Sequence, residues 1–199
     1  VMRKHAAASL EATDKIVDRD LHINAEDIVF AANREWEDGI KLGAESGWRN
    51  SQASVLAPTG TIGFMMDCDT TGIEPDFSLV KFKKLVGGGS MQIVNQTIPR
   101  ALETLGDDEE QVEKIVDHIS KNGNVVSAPD LKLEHYSIFD CAVGERAIEP
   151  MGHIRMMAAV QPFLSGAISK TVNMPESATI EDIEEVYMEG WKMGLKAIA

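Results

Sequence analysis

The sequence predicts an α/β fold, rich in helix, with about three short buried strands. Three observations carry that prediction. Several long stretches repeat apolar residues at helical spacing, whereas only a few short apolar runs read as strands. Helix starts are marked by capping boxes. Glycines stand where helices and strands should stop. Strands so few and so apolar need helices over them, as in part of an α/β barrel or an open α/β sheet. Three strands are too few to close a barrel.

In chain order, residues 2–18 form an amphipathic helix whose pattern ends near Val17. "HINAEDIVFAANREWEDGIKLGAESG" reads as a second, longer helix with Asn24 as N-cap, Asp27 at the third helical position and Gly47 as terminator. Ile28, Ala32, Trp36 and Ile40 recur at four-residue spacing and predict a buried stripe. "SVLAPTGTIGFMMDCDTTGIEP" then sets a short buried strand (Val55, Leu56, Ala57), a turn, and a short helix with an apolar run over 62–66. A strand over 78–86 is halted by Gly87, Gly88 and Gly89. "SMQIVNQTIPRALETLG" reads as helix with a kink or break at Pro99. "DDEEQVEKIVDHISKNG" is a helix with acids at its positive end and Val112, Ile115, Val116 and Ile119 on one face. Residues 122–150 are loop-rich, with a short helix near His135. Residues 151–165 are helical and bend at Pro162, and "AISKTVN" is strand-like. Thr179 with Asp182 opens a final amphipathic helix through Ile183, Val186, Tyr187, Trp191, Leu195 and Ile198.

The chain has 199 residues, 44% hydrophobic and 26% charged, which is the composition of a soluble globular protein. Its formal charge of −13 repels nucleic acid and anionic membranes, so neither is an expected partner. Its apolar runs are too short to span a bilayer, and its start has no signal-peptide core. Cys68 and Cys141 are far apart and in no CxxC pattern; with ten methionines they suit a reducing cytoplasm, not a disulfide framework. A first residue of Val, not Met, points to a chain cut from something longer.

An acidic chain that binds a phosphate must do so locally, through backbone N–H groups. A strand, a glycine-containing turn and a helix start together make such a site. Gly60 lets an oxygen approach the backbone, the Thr59 and Thr61 hydroxyls can donate, and Pro58 stands where no backbone donor is needed. The same pattern also fits a plain helix start, with Thr59 as cap and Gly60 relaxing the turn. It has neither the lysine of a P-loop nor the spacing of a dinucleotide fingerprint, so the pattern alone leaves both readings open.

With its surroundings the run says more. "RNSQASVLAPTGTIGFMMDCDTTGIEPDFSLVKFKKLVGGGS" closely resembles the adenosylcobalamin-dependent (class II) ribonucleotide reductases. So do "GHIRMMAAVQPFLSGAISKTVNMPESATIEDIEEVYMEGWKMGLKAIA", "QIVNQTIPRALETLG" and "FDCA", and together they cover essentially the whole chain. The resemblance implies a ten-stranded α/β barrel, of which residues 1–199 would be a single partial domain from the C-terminal portion. It also implies reduction of the ribose 2′-hydroxyl of a ribonucleoside di- or triphosphate, for DNA precursor synthesis. In that chemistry cobalt–carbon homolysis leads to a thiyl radical on a loop cysteine, which abstracts the 3′-hydrogen, and a cysteine pair supplies the electrons.

The family's "PTGTI" is the substrate phosphate cradle, which carries over to Pro58, Thr59, Gly60, Thr61 and Ile62. Its hydroxyls and glycine would face the barrel mouth, with the apolar flanks held in the wall. "TGIEP" (71–75) resembles the family's structural loop lining the site, and "SKTVN" a late strand that brings 170–173 near the pocket. The implied cofactor is adenosylcobalamin. The implied partners are a ribonucleotide, the rest of the reductase chain, a thioredoxin-like reductant and a second copy in a homodimer, in the cytoplasm.

One departure matters: the family's Asn-x-Cys-x-Glu loop and cysteine tail do not occur in this sequence. The radical cysteine and its reducing pair need three thiols, and this chain has two. Asp67 and Asp69 disfavour a thiolate at Cys68, Cys141 follows Asp140, and both cysteines are expected to be packed small residues. No catalytic residue is therefore expected here, and the isolated chain should be inactive. The alternative is a non-catalytic phosphate-binding or interaction module derived from the same barrel.

His5, His22, His118, His135 and His153 show no paired-ligand spacing, and a cluster of His135, Cys141 and His153 would match no standard metal site. Ile154, Met157, Ala158 and Gln161 follow core-helix spacing, and Arg155 and Lys170 are candidate counter-charges for phosphate or a cobalamin side chain.

Overall fold

A computed structural model describes residues 2–17, 25–84 and 87–199. In chain order the elements are α1 (Met2–Val17), α2 (Ala25–Ser46), α3 (Gly60–Met65), β1 (Val80–Lys84), β2 (Ser90–Val94), α4 (Thr97–Leu105) and α5 (Glu109–Asn122). A 3-10 turn over Leu133–Phe139, α6 (Pro150–Val160), a second 3-10 turn over Gln161–Phe163 and α7 (Ile180–Lys192) complete it. The expected Asn24 cap, His22, and positions 85 and 86 of the expected strand lie outside the described residues. No described helix is long and apolar enough to cross a membrane. The chain divides into two compact units.

The first unit comprises Val1–Ala57, Ile154–Ser169 and Thr179–Ala199. Here α1 packs on α2, and His5 stacks on Trp36 with ring centroids 5.5 Å apart. Gly47 ends α2 at a φ of 73°, its N–H donating to the Gly43 carbonyl. The expected stripe on α2 is only half covered, because α1 lies along one side of it: Ile28 is exposed, while Ala32, Trp36 and Ile40 are intermediate.

The two segments expected as strands at 55–57 and 167–173 shrink to a single parallel bridge, Leu56 to Ile168. Beside the bridge the Gly166 N–H donates to the Ser54 carbonyl at 2.7 Å and the Ser169 N–H to the Leu56 carbonyl at 2.9 Å, and serine hydroxyls add further bonds. The Ala53 N–H donates to Ser165 Oγ at 2.8 Å, and the Ser165 N–H donates to Ser54 Oγ at 3.1 Å. Gly166 allows the close approach, since a Cβ there would lie 2.9 Å from the Ser54 carbonyl oxygen. In α7 the Thr179–Asp182 capping box forms as expected, but the helix ends at Lys192, leaving Leu195 and Ile198 beyond it and Tyr187 and Trp191 exposed.

The second unit comprises Pro58–His153 and Lys170–Ala178. β1 and β2 form an antiparallel hairpin, Val80 opposite Val94 and Lys84 opposite Ser90. The stretch expected as a helix start at Ser90 is therefore a strand. Gly87, Gly88 and Gly89 all take φ near 100°, and that left-handed run turns the chain back on itself instead of only stopping it. Asn95 then starts α4: its side-chain oxygen accepts from the Thr97 N–H at 2.8 Å and from Thr97 Oγ1 at 2.7 Å. Pro99 falls in the first turn, where its missing N–H costs nothing, so α4 is neither kinked nor broken there.

Asp108 and Gln111 cap α5 reciprocally, and Gly123 closes it in the left-handed region. Leu102 of α4 and Ile115 and Ile119 of α5 are fully buried with Leu79, Val125, Tyr136 and Phe139 around them. Arg146 grips both oxygens of Asp140, at 2.6 and 3.2 Å, and its guanidinium lies 5.5 Å from the centre of the Tyr136 ring. That contact pins the first 3-10 turn to the following loop.

Leu102→Ala should lower the unfolding free energy by about 2–5 kcal/mol, because the side chain is wholly buried in the core of the second unit. Chemical denaturation followed by circular dichroism measures this, and a loss below about 1 kcal/mol would place Leu102 outside the core.

Candidate functional site

The site is built within the second unit, from the turn that starts α3, the loop at 71–75 and the segment that begins at Lys170. The turn is strained. Thr59 adopts φ 55° and ψ −27°, a left-handed conformation that a β-branched residue rarely takes. Gly60 follows at φ 29°, and its N–H donates to the Pro58 carbonyl at 2.7 Å. Gly60 N–H is thus spent inside the turn. The first-turn N–H groups of Thr61 and Ile62 are those that the helix geometry leaves free.

Thr59 does not cap α3 with its side chain. Instead the Gly72 N–H donates to Thr59 Oγ1 at 2.7 Å. A hydroxyl that accepts in this way keeps its own proton to give away. Thr59, Thr61 and Ile62 are exposed, and a Cβ at Gly60 would meet no protein atom within 4 Å. The space in front of the turn is open.

The apolar flanks depart from expectation. Val55, Ile62, Phe64, Met65 and Met66 are all exposed, and only Gly63 of α3 is buried. A six-residue helix buries one narrow side, here against Thr59 and Thr71, and nothing among the described residues covers the other.

Behind the turn lies a cluster of three ionisable side chains. Glu74 Oε2 accepts from Lys170 Nζ at 3.1 Å, and Glu74 Oε1 accepts from the Thr171 N–H at 2.6 Å. Lys170 Nζ also donates to His153 Nδ1 at 2.7 Å and to the Thr171 carbonyl at 2.9 Å. All three donors of the ammonium are therefore used, and the side chain is only 2% exposed. This corrects the expectation that Lys170 is a counter-charge for phosphate: it is committed inside the protein.

His153 accepts at Nδ1, so its proton sits on Nε2, which is buried. Burial, and then the neighbouring Lys170 charge, hold His153 below its ordinary pKa. Sequence reasoning missed Glu74 and His153 as members of this cluster. The available signal was Lys170 itself, a single lysine in the apolar run "AISKTV", which requires a buried anion wherever that run is packed.

The remaining candidates separate. Arg155 is exposed, while Ile154, Met157 and Gln161 are buried as their spacing predicts. Among the described residues no three His, Cys, Asp or Glu side chains gather as a metal site, so His135, Cys141 and His153 do not form one. Cys68 is exposed, contrary to its expected packing, because it follows α3 on the uncovered side of the turn. Cys141 is buried, and desolvation, followed by the Asp76 charge, pushes its thiol up to about 11.

The sequence matches the family described as "Ribonucleotide reductase, barrel domain" over residues 3–199. It is 66% identical over 199 residues to a vitamin B12-dependent ribonucleotide reductase of Streptantibioticus cattleyicolor, covering all of this chain and 32% of that protein. The protein of the same name from Streptomyces coelicolor is 63% identical over 199 residues, again covering all of this chain but 20% of the relative. The chain thus spans a third or less of the length of these curated relatives. Among solved structures, the class Id ribonucleotide reductase alpha subunit of Actinobacillus ureae aligns with a TM-score of 0.57 at 21% identity. That alignment covers 86% of this chain and 32% of the other, and it speaks to fold alone.

Two measurements check this geometry. Titration with a thiol reagent at pH 8 should modify Cys68 at once and Cys141 only after denaturant is added, since a buried thiol raised to about 11 carries almost no thiolate. Two fast thiols would contradict the burial of Cys141. His153 has a folded pKa below its ordinary 6.5, so the unfolded state takes up that proton first as pH falls. Stability is retained above pH 6.5 and should decline as pH drops from there toward the lowered folded value. His153→Gln should flatten that part of the melting-temperature profile, and an unchanged slope would show that another group titrates.

Proposed function

Because this chain belongs to the ribonucleotide reductase barrel-domain family, we propose that it supplies the substrate phosphate cradle of a cobalamin-dependent ribonucleotide reductase. The cradle comprises Pro58, Thr59, Gly60, Thr61 and Ile62. The observation that carries the reading is the Gly72–Thr59 hydrogen bond, which turns the Thr59 oxygen into an acceptor and leaves its proton for a ligand oxygen. The unpaired N–H groups of Thr61 and Ile62 add two further donors, and the open space at Gly60 admits the phosphate. Strain of about 1–3 kcal/mol at a residue such as Thr59 is the kind that binding sites retain.

The parent enzyme would reduce the ribose 2′-hydroxyl of a ribonucleoside di- or triphosphate within a ten-stranded barrel. Residues 1–199 form a C-terminal portion of it. The radical cysteine, the reducing pair and the contacts to a thioredoxin-like reductant and a second copy belong to the rest of the parent chain. Adenosylcobalamin would supply the radical that starts the reaction. The described residues do not fit that group: Lys170 is buried and fully bonded, Arg155 is a lone exposed charge, and no ligand cluster forms. This chain's part is to bind and orient the nucleotide by its phosphates.

Gly60→Val in the full-length parent tests the assignment. A Cβ there meets no protein atom within 4 Å, but valine would fill the space in front of the turn and strain the φ of 29°, so the KM for the nucleotide should rise at least about tenfold, equivalent to about 1.4 kcal/mol. An unchanged KM refutes the cradle.

A further inference from the structure

The buried cluster behind the turn has no part in phosphate binding as described, yet it is joined to the turn by a continuous set of hydrogen bonds. Lys170 spends its three donors on Glu74, His153 and the Thr171 carbonyl. Glu74 spends one oxygen on Lys170 and the other on the Thr171 N–H. The Glu74 N–H donates to the Thr71 carbonyl at 3.1 Å, closing a turn around Gly72. Gly72 in turn holds Thr59 Oγ1. Both carboxylate oxygens of Glu74 are thus engaged in the loop whose Gly72 N–H meets Thr59.

We propose that Glu74, Lys170 and His153 are positioning residues for the phosphate cradle, clamping the 71–75 loop so that Gly72 holds the Thr59 hydroxyl with its proton directed at the nucleotide phosphate. The clamp rests on the cradle reading. None of the three touches substrate. Lys170 has no donor left for a phosphate, Glu74 would repel one, and His153 is buried. The cluster acts through the Thr59 hydroxyl.

That dependence sets the test, a double-mutant cycle in the full-length parent reductase with its cofactor bound. Lys170→Met should raise the nucleotide KM by about tenfold while kcat at saturation changes less than about twofold, with inorganic pyrophosphate weakened in parallel as a competitor. In a Thr59→Ala background, Lys170→Met should raise KM no further, because the group it positions has gone. A role confined to stability gives effects that add, and additivity overturns the clamp.

Should Lys170→Met fail to fold, hydrogen exchange on the wild-type enzyme decides. Pyrophosphate should slow exchange over 70–75 and 170–173 as well as over 59–64, and protection confined to 59–64 overturns the clamp. Gly60→Val separates the two readings. If it leaves KM unchanged, cradle and clamp both fall; if it raises KM and the cycle is additive, the clamp alone falls.

Discussion

A lysine ammonium taken out of water must find an acceptor for each of its three protons and an anion for its charge. Lys170 meets both requirements inside the second unit, and the surrounding backbone is arranged around that demand. Glu74 supplies the anion, the Thr171 carbonyl a second acceptor and His153 Nδ1 a third. The three side chains come from a loop, a helix start and a segment near the end of the chain. Removing one partner of such a buried pair costs about 3–5 kcal/mol, because the other charge is stranded. The pair is therefore a constraint on conformation more than a source of stability.

That constraint reaches the turn at Pro58–Thr61 through Gly72. Thr59 is held at a positive φ that a β-branched side chain disfavours, and its hydroxyl is held as an acceptor. Neither feature helps α3, which has only six residues and no side-chain cap. Both fit the proposed cradle, in which an oxygen ligand takes a donor aimed outward. The apolar side of α3, with Ile62, Phe64, Met65 and Met66 uncovered, forms a patch of the kind that requires a partner surface. In the function proposed above, the remainder of the barrel is that surface.

The helices of this protein were legible because their signals are local. The acids that open α5 and the pairing of Thr179 with Asp182 are written within four residues, and the α5 stripe of Val112, Ile115 and Ile119 reads directly as burial. The strands were less legible because pairing is non-local. The apolar run at Val55 has one bridge partner, more than a hundred residues away, and so remains mostly extended chain. Ser90–Val94 was read as helix because its apolar residues lie within reach of the true helix that follows, and only the hairpin with β1 overrides that reading. Of the site, the hydroxyls and glycine of the turn were visible in order. The partner of Thr59 was not, since Gly72 lies thirteen residues on and contributes only a backbone N–H.

The serine pairing in the first unit also has a consequence for how the molecule comes together. Ala53 and Ser165 are bonded across 112 residues, and nearly all of the second unit lies in the chain between them. By contrast, α4 and α5 meet through neighbours in sequence, and the Asp108 cap closes over three residues. Short loops close early and at small entropic cost, while a loop of this length must wait for everything within it. During synthesis the hairpin and its two helices can therefore order while the ribosome is still adding α6 and α7, and the first unit closes last. Ser54, Ser165 and Gly166 then act as the final fastening of a chain whose middle is already folded.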